Sequence, residues 1–398
     1  MRCLSHKSGL LLVAVLAGAS CTDDPVPTEP SSSIEAAPAA AVATSPLSFY
    51  QISGGTGRAT CGITTDNRAY CWGTGYLGDG PEETFLRSSP VAVSGGHQFR
   101  RISVGGHRVC AVTTDNRAYC WGINIVFNAD GTAQSRATPT PVDTDLRFLH
   151  VSTGFLHTCG VSTANRVYCW GWNGNGDGRL GSTSATTNKP VEISGGRRFY
   201  QVSVGDHHSC AVTTSYQIYC WGSNENGRLG NNSPVKSSAT PVLVAGARGY
   251  RQVDAGFYHS CAVTDTHRAY CWGTGEFGQI GDGNTVNRWE PRLVAGGLAF
   301  DRVSAQMTSS CGETTTNRVY CWGFNGYGEI GDGTYTNRPT PVAVAGGRFF
   351  TQVSTGNHYT CGVADDTRGY CWGDNQYGTL GDGTTTNRTI PTPTVGPS

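Results

Sequence analysis

Short runs of alternating hydrophobic and polar residues, separated by turn residues, recur along most of this chain. The run Phe99–Val104 (FRRISV) alternates with the two-residue period of a β-strand. A glycine turn and a second run, which contains Cys-Ala-Val from Cys110, come next. A third run ends in Tyr-Cys-Trp-Gly, and a glycine-rich loop separates it from a fourth run that contains Pro-Val. We find no convincing 3.6-residue helical period, so the pattern predicts units of four short strands.

The Tyr-Cys-Trp-Gly tetrad marks seven copies of this unit, spaced 49 to 51 residues apart. Self-similarity at such a period indicates a repeat architecture. One four-stranded unit cannot bury both of its faces, whereas a closed ring of units can. The sequence therefore predicts an all-β, seven-bladed β-propeller, with a β-solenoid of unusually long coils as the alternative. The tetrads occupy residues 70–73, 119–122, 168–171, 219–222, 270–273, 320–323 and 370–373.

The seventh unit carries a family resemblance. It contains His358, Cys361, the tetrad at 370–373 and Gly-Thr-Leu-Gly at 378–381. This combination resembles the repeats of the regulator of chromosome condensation family, and the likeness extends over about residues 47–398. The resemblance implies a seven-bladed propeller. Founding members of the family exchange guanine nucleotide on a small nuclear GTPase and contact chromatin.

The N-terminus has the pattern of an export signal. Arg2 and Lys7 precede the apolar run at residues 9–19, which is too short for a comfortable membrane span. Small residues then lead into Cys21, as in a bacterial lipoprotein signal, although Gly18 stands where an aliphatic residue is usual. We expect a signal peptide at 1–20, a lipid on Cys21, a flexible Pro/Ala/Ser tether at 21–46 and the propeller at 47–398. A plain signal peptide cut near Ser20 is the alternative.

The spacing of the other cysteines predicts disulfides. If residues 114–116 form a hairpin loop, Val112 faces Ala118 and Cys110 lies opposite Cys120, within disulfide range. An exported protein meets an oxidising environment, which agrees with this pairing. Buried free thiols are the alternative, and metal binding is disfavoured because no short Cys-x₂-Cys spacing occurs. The expected pairs are Cys61 with Cys71, Cys110 with Cys120, Cys159 with Cys169, Cys210 with Cys220, Cys261 with Cys271, Cys311 with Cys321 and Cys361 with Cys371.

Other candidate chemistry favours structure over catalysis. Histidines recur before the first cysteine of most units, where we expect them to satisfy backbone groups of the turn rather than to bind a metal. Asp-Gly pairs, such as Asp382 with Gly383, suit tight turns better than a calcium site. We find no nucleophile motif, phosphate loop or acid/base pair, and so predict no catalytic, cofactor or metal site. The histidines are His107, His157, His207, His208, His259 and His358.

Composition and one aberrant unit bear on the partner. The 29 basic residues balance 29 acidic ones, and no basic tail is present, which disfavours nucleic acid. We therefore expect a monomeric protein-interaction or scaffold module of the cell envelope, or a secreted one. Exchange-factor activity and a hydrolase or lyase at the propeller axis are the alternatives.

Unit two replaces the Gly-x-Leu-Gly loop by large apolar residues. These residues predict either an alternative packing of the loop or a partner-binding patch at Ile123, Ile125, Val126 and Phe127.

Overall fold

The structure is a computed structural model, and it describes residues 45–80, 84–127, 133–174, 176–246 and 248–397. Seven antiparallel sheets of four consecutive strands each are present, so every blade is built from one repeat. The predicted all-β, seven-bladed β-propeller is confirmed. The described residues contain a single short 3₁₀ turn, Glu225–Gly227, and none of their helices is long and apolar enough to span a lipid bilayer.

The strands are numbered in chain order, four to a blade. Blades 1 and 2 contain β1 (Phe49–Gly54), β2 (Ala59–Thr64), β3 (Ala69–Gly75), β4 (Thr84–Ala92), β5 (Phe99–Val104), β6 (Arg108–Thr113), β7 (Ala118–Phe127) and β8 (Ala133–Pro141). Blades 3 and 4 contain β9 (Phe148–Thr153), β10 (His157–Ser162), β11 (Val167–Gly171), β12 (Thr187–Glu192), β13 (Phe199–Val204), β14 (His208–Thr213), β15 (Ile218–Ser223) and β16 (Ser237–Leu243). Blades 5 and 6 contain β17 (Tyr250–Ala255), β18 (His259–Thr264), β19 (Ala269–Gly273), β20 (Arg288–Leu293), β21 (Phe300–Ala305), β22 (Ser309–Thr314), β23 (Val319–Gly323) and β24 (Arg338–Ala343). Blade 7 contains β25 (Phe350–Thr355), β26 (Tyr359–Ala364), β27 (Gly369–Gly373) and β28 (Arg388–Pro393).

The first strands of all seven blades contact one another in a closed ring, which places them around the axis. The ring closes between blades 7 and 1 without exchanging a strand. Gln352 accepts a hydrogen bond from the Ile52 amide and donates one to the Ile52 carbonyl, each at 2.8 Å. The buried Tyr359 hydroxyl donates to the Ala59 carbonyl and accepts from Thr60. Side-chain bonds to the backbone therefore join the first blade to the last.

The tetrad is explained by backbone geometry and by contacts between blades. Gly73, its final residue in blade 1, has a φ of 102°, and a Cβ atom there would lie 2.1 Å from the Arg58 carbonyl oxygen. The tryptophan before it is buried, and the Trp72 Nε1–H donates to the Thr379 carbonyl of blade 7 at 2.8 Å. Gly381, two residues further on, leaves room for this indole. The recurring tryptophans and the Gly-x-Leu-Gly loops are thus two halves of one interface.

The predicted hairpin register is present in every blade. In blade 2, Val112 pairs with Ala118, and Cys110 lies opposite Cys120. All seven expected cysteine pairs are joined as disulfides in the structure, with Cα atoms 4.0–4.1 Å apart. The bonds join Cys61 to Cys71, Cys110 to Cys120, Cys159 to Cys169, Cys210 to Cys220, Cys261 to Cys271, Cys311 to Cys321 and Cys361 to Cys371.

The disulfides belong to the core of the ring. Thirteen of the fourteen paired cysteines have no exposed surface, whereas Cys120 is half-buried. Each pair packs among the aliphatic and aromatic side chains that fill the space between neighbouring blades. The cysteines therefore lie within the apolar layers that join the blades.

Candidate protein-binding face

Some of the recurring histidines are buried between blades, whereas His107, His207 and His358 lie in turns and are not buried. His157, His208 and His259 are fully buried, and each Nε2 lies 2.7–2.8 Å from a serine hydroxyl of the next blade. The hydroxyl that pairs with His259, that of Ser310, donates its own proton to the Gln279 carbonyl, so the imidazole Nε2–H must be the donor. Burial lowers the pKa of His259 to about 3. These neutral imidazoles join blades, and their partners are hydroxyls of the next blade rather than backbone groups of the turn.

The aspartates of the Asp-Gly pairs stabilise tight turns by accepting hydrogen bonds. Asp382 accepts a hydrogen bond from the Thr384 amide at 3.0 Å, and its other oxygen accepts one from Arg388 Nε at 2.8 Å. Asp332 repeats both contacts in blade 6. Among the residues that the structure describes, no group of three or more His, Cys, Asp or Glu side chains is placed to hold a metal ion. The aspartates therefore close loops and anchor the outermost strand.

One face of the ring collects two kinds of loop. Because the strands of each blade are antiparallel, the loops from first to second strand and from third to fourth strand emerge on the same side. We call this side the loop face. The turns that carry His107, His207 and His358 and the loops after Trp-Gly all lie here. Residues that are 20 to 50 positions apart in the chain thereby become neighbours.

Aromatic side chains line the loop face across the boundaries between blades. Phe277 of blade 5 packs edge-on against Phe324 of blade 6, with ring centroids 5.2 Å apart. Tyr327 and Phe324 in turn contact His358 of blade 7, at 4.8 and 5.6 Å. Phe277 is 38% exposed, and the other three residues are half-buried. This cluster leaves aromatic surface in contact with solvent.

The same arrangement continues around the ring. The Arg58 guanidinium of blade 1 lies 3.7 Å above the Tyr377 ring of blade 7, and within blade 3 the Arg179 guanidinium lies 4.4 Å from the Trp172 ring. His107 packs on Phe155 and His207 on Phe257. None of these aromatic rings is fully buried. We call the whole set the aromatic belt: Arg58, His107, Phe155, Trp172, Arg179, His207, Phe257, Phe277, Phe324, Tyr327, His358 and Tyr377.

Comparison with known sequences assigns the family. A sequence profile of the RCC1-like domain matches residues 129–398, which is more than half of the chain. The chain belongs to the RCC1-like domain family. A profile of the regulator of chromosome condensation (RCC1) repeat also matches residues 99–125. The ultraviolet-B receptor UVR8 of Arabidopsis thaliana is 36% identical over 119 residues, which cover 29% of this chain and 27% of UVR8. The match thus spans about a quarter of the length of that relative.

Solved structures with this fold are similar over most of the chain. Human WBSCR16 superposes with a TM-score of 0.73 at 16% identity, covering 82% of this chain and 93% of that one. Prp20p of Saccharomyces cerevisiae superposes with a TM-score of 0.71 at 18% identity, covering 83% of this chain and 86% of Prp20p. At identities this low, the superpositions establish a shared propeller fold alone.

Blade 2 departs from the other blades of this RCC1-like domain at the loop face. Instead of turning after Trp-Gly, strand β7 runs on to Phe127, and Ile123 pairs with Ser135 of β8. Ile123 is half-buried, and its amide donates to the His107 carbonyl. Residues 124–127, which include the other predicted patch members Ile125, Val126 and Phe127, belong to the same ladder. Their side chains lie outside the described part of the structure, so the partner-binding patch remains a prediction.

A ring of hydrogen bonds surrounds the axis and contains one carboxyl group. At the same position of each first strand, a side-chain oxygen accepts a hydrogen bond from a backbone amide of the next blade at 2.9–3.1 Å. Six of the acceptors are serines, whereas blade 5 supplies Asp254. The Asp254 carboxyl also accepts from the Ser203 hydroxyl at 2.7 Å. Burial raises its pKa to about 6. The acceptors are Ser53, Ser103, Ser152, Ser203, Asp254, Ser304 and Ser354.

Replacing Asp254 by serine is expected to stabilise the propeller at neutral pH. Because the pKa is raised on folding, the native state holds a proton that the unfolded state releases between pH 3.8 and about 6. Stability is therefore lost as the pH rises through this window and stays lower above it. Asp254→Ser should raise the free energy of unfolding by about 1–3 kcal/mol at pH 7.5 and by much less at pH 4. Urea unfolding at both pH values measures this.

Ser103→Ala is the matched control, because it removes the acceptor for the Thr153 amide without changing charge, and Ser103 does not contribute to the pKa shift of Asp254. We expect it to destabilise the protein equally at both pH values. An Asp254→Ser protein that is less stable than the wild type at pH 7.5 would contradict the interpretation.

The belt was not predicted from the sequence, although a signal for it exists. Phe277, Tyr327 and Tyr377 each stand directly before the first glycine of a Gly-x-Leu/Ile-Gly motif. A recurring aromatic residue at a loop position has no strand to pack into, which is a reason to suspect exposure. The sequence does not show that the closed ring brings loops of different blades beside one another, so the contacts between these aromatic residues could not be predicted.

Proposed function

We propose that this chain is a non-enzymatic protein-interaction module whose partner docks on the aromatic belt. The belt supports this proposal because Tyr, Trp, Phe and Arg are the side chains enriched at the centres of protein interfaces. Its aromatic rings pack against other side chains of the loop face, most of them on a neighbouring blade, so little side-chain entropy is lost on binding. Exchange-factor activity and an axial hydrolase or lyase are supported by no singular cluster in the described residues. The test is whether partner capture depends on the loop face and not on the opposite face.

The proposal includes export of the protein and its attachment to the cell envelope as a monomer. The signal at 1–20, Cys21 and most of the tether at 21–46 lie outside the described residues. Support comes from the sequence of the apolar run and from the fourteen cysteines that pair within blades, since such a framework persists in oxidising compartments. The propeller at 47–398 would then present the loop face at the end of a flexible tether.

Changing Cys21 to serine should release the protein from the membrane or block its processing. The lipid attaches to the thiol of this residue, and each buried CH₂ group of an acyl chain contributes about 0.8 kcal/mol to membrane binding. Fractionation of cells expressing the wild type and Cys21→Ser measures the change. Cys3→Ser serves as the control because Cys3 lies within the segment expected to be removed. If Cys21→Ser is processed like the wild type and still remains in the membrane fraction, the anchor is wrong and ordinary secretion stands.

A further inference from the structure

Blade 2 places a cation where the other blades have neutral residues. The position is the second residue before the first cysteine of each hairpin, and it lies between two blades. In blade 2 it is Arg108, which is only 5% exposed. The equivalent residues are Ala59, His157, His208, His259, Ser309 and Tyr359.

Among the residues that the structure describes, the guanidinium of Arg108 has no anionic partner. Its Nε–H donates to the Ile123 carbonyl at 3.3 Å, and its Nη1 lies 3.5 Å from the Thr158 hydroxyl. Its Nη2 is buried and has no hydrogen-bond partner within the described ranges. Burial lowers the pKa of the guanidinium to about 10, and no carboxylate in the described part of the chain opposes this shift. A buried cation without an anion is unfavourable, so this arrangement is incomplete by itself.

Blade 2 lacks the Gly-x-Leu-Gly loop of its sister blades, and a cavity lies beside Arg108. In the other six blades a leucine or isoleucine of this loop is buried against the next blade. No residue of the described part of blade 2 takes that place. A cavity of about 280 Å³ is found between blades 2 and 3 instead. The six buried loop residues are Leu77, Leu180, Leu229, Ile280, Ile330 and Leu380.

The walls of the cavity suit a small carboxylate with an apolar body. Trp121, Trp170 and Val142 supply apolar surface, and Arg108 supplies the charge. Asn188 also lines the cavity, and its Oδ1 is buried without a partner, so the amide can turn to present its NH₂ group. A second guanidinium, that of Arg136, also lines the cavity and adds positive charge for an anion. Asp143 also lines the cavity, and its carboxylate is paired with Lys189 at 3.1 Å.

We propose that the cavity between blades 2 and 3 binds a carboxylate, which pairs with the Arg108 guanidinium while its apolar part lies between the two indole rings. The carboxylate can belong to a small organic acid or to an acidic side chain of a docked polypeptide. Both sources share the same chemistry. The site is independent of the aromatic belt, because neither Arg108 nor Asn188 belongs to it.

Titration calorimetry with benzoate, and with benzamide as its neutral isostere, tests the site. We expect benzoate to bind at least ten times more tightly than benzamide. Arg108→His should abolish this preference while keeping the fold, because histidine occupies the same position in three sister blades and Thr158 is placed to pair with it. Asn188→Ala should weaken benzoate binding three- to tenfold without altering Arg108. Equal binding of benzoate and benzamide, or benzoate binding that Arg108→His leaves unchanged, would overturn the proposal.

A second readout locates the ligand and a third identifies its source. Cys120 is half-buried and lines the cavity, so bound benzoate should slow reduction of the Cys110–Cys120 disulfide by dithiothreitol in the wild type but not in Arg108→His. N-acetyl-glutamate α-amide, whose side-chain carboxylate is free, is the probe for an acidic side chain of a polypeptide. If it binds more tightly than benzoate, the natural carboxylate comes from a polypeptide, and if it binds more weakly, from a free acid. Failure of both probes to bind the wild type would overturn the site.

Discussion

Replacing Phe277 and Tyr377 together by glutamate should lower the affinity for the protein partner at least about 100-fold. The two side chains lie on blades 5 and 7 of the loop face, and each presents aromatic surface to solvent. Interface anchors of this kind commonly contribute about 2 kcal/mol or more each. Since both rings are partly exposed, the melting temperature should change by no more than about 2 °C. Affinity capture from envelope extracts, followed by titration of the captured protein, measures the loss.

Tyr216→Asn is the control on the opposite face. Tyr216 is 54% exposed and has a φ of 63°, at a turn position that most sister blades fill with asparagine. We expect the Tyr216→Asn variant to bind the partner like the wild type. Loss of binding in this variant, with binding intact in the Phe277/Tyr377 variant, would move the interface to the other face.

The extended hairpin of blade 2 can be tested in the same assay. Ile125→Asp combined with Phe127→Asp should weaken capture by an order of magnitude or more if the predicted patch contributes, while the melting temperature barely moves. A large drop in the melting temperature would instead assign these residues to packing within the blade. If only this variant loses binding, the partner recognises the hairpin and not the belt.

The sequence predicts the fold and the hairpin register because both depend on local periodicity. A two-residue alternation defines the strands, and the ten-residue separation of Cys110 and Cys120 leaves one register that brings their Cα atoms together. Because the unit repeats about every 50 residues, a hairpin register that is correct for one unit applies to all seven. A wrong register in one repeat would disagree with the other six, so the seven copies check one another.

Contacts between repeats are harder to predict because they join similar positions of different blades. The histidines illustrate this difficulty. The imidazole of His259 finds its partner at Ser310, which is 51 residues away, so the sequence alone suggested a bond within the turn. Asp254 stands out only after the serines at the equivalent positions are seen to form one ring. Arg108 likewise becomes unusual only once its neighbours between the blades are known.

Reduction of all seven disulfides should unfold the propeller. Each bond joins cysteines separated by ten positions, for which the chain-entropy model gives a stabilisation of roughly 2–3 kcal/mol. The bonds lie in separate blades, so their contributions should add approximately. Their sum, about 15–20 kcal/mol, exceeds the 5–15 kcal/mol that typically separates native from unfolded proteins. The near-ultraviolet circular dichroism of the buried tryptophans should therefore be lost in dithiothreitol and recovered on reoxidation.

Removing a single disulfide should lower the stability much less than reducing all seven, and a variant that lacks one pair is the control. Cys361→Ala combined with Cys371→Ala should lower the free energy of unfolding by about 2–3 kcal/mol and leave one cooperative transition. Partial reduction should first open Cys110–Cys120, because Cys120 is half-buried whereas the other thirteen cysteines are fully buried. Mass mapping of the unreduced protein should find seven links, each within one blade. Links between blades, or a fully reduced protein that keeps its near-ultraviolet spectrum, would contradict the framework.

This dependence on oxidation connects the stability of the fold to where the protein can fold. In a reducing compartment the cysteine pairs cannot persist, and the chain loses more stabilisation than a domain normally possesses. Production without the signal at residues 1–20 should therefore give unfolded or aggregated protein, whereas production with the signal should give an oxidised, soluble propeller. The comparison is independent of Cys21, since a Cys21→Ser protein would still be exported. A folded propeller recovered from a reducing cytosol would separate the cysteines from export, and the proposed envelope location would then depend on the N-terminal signal alone.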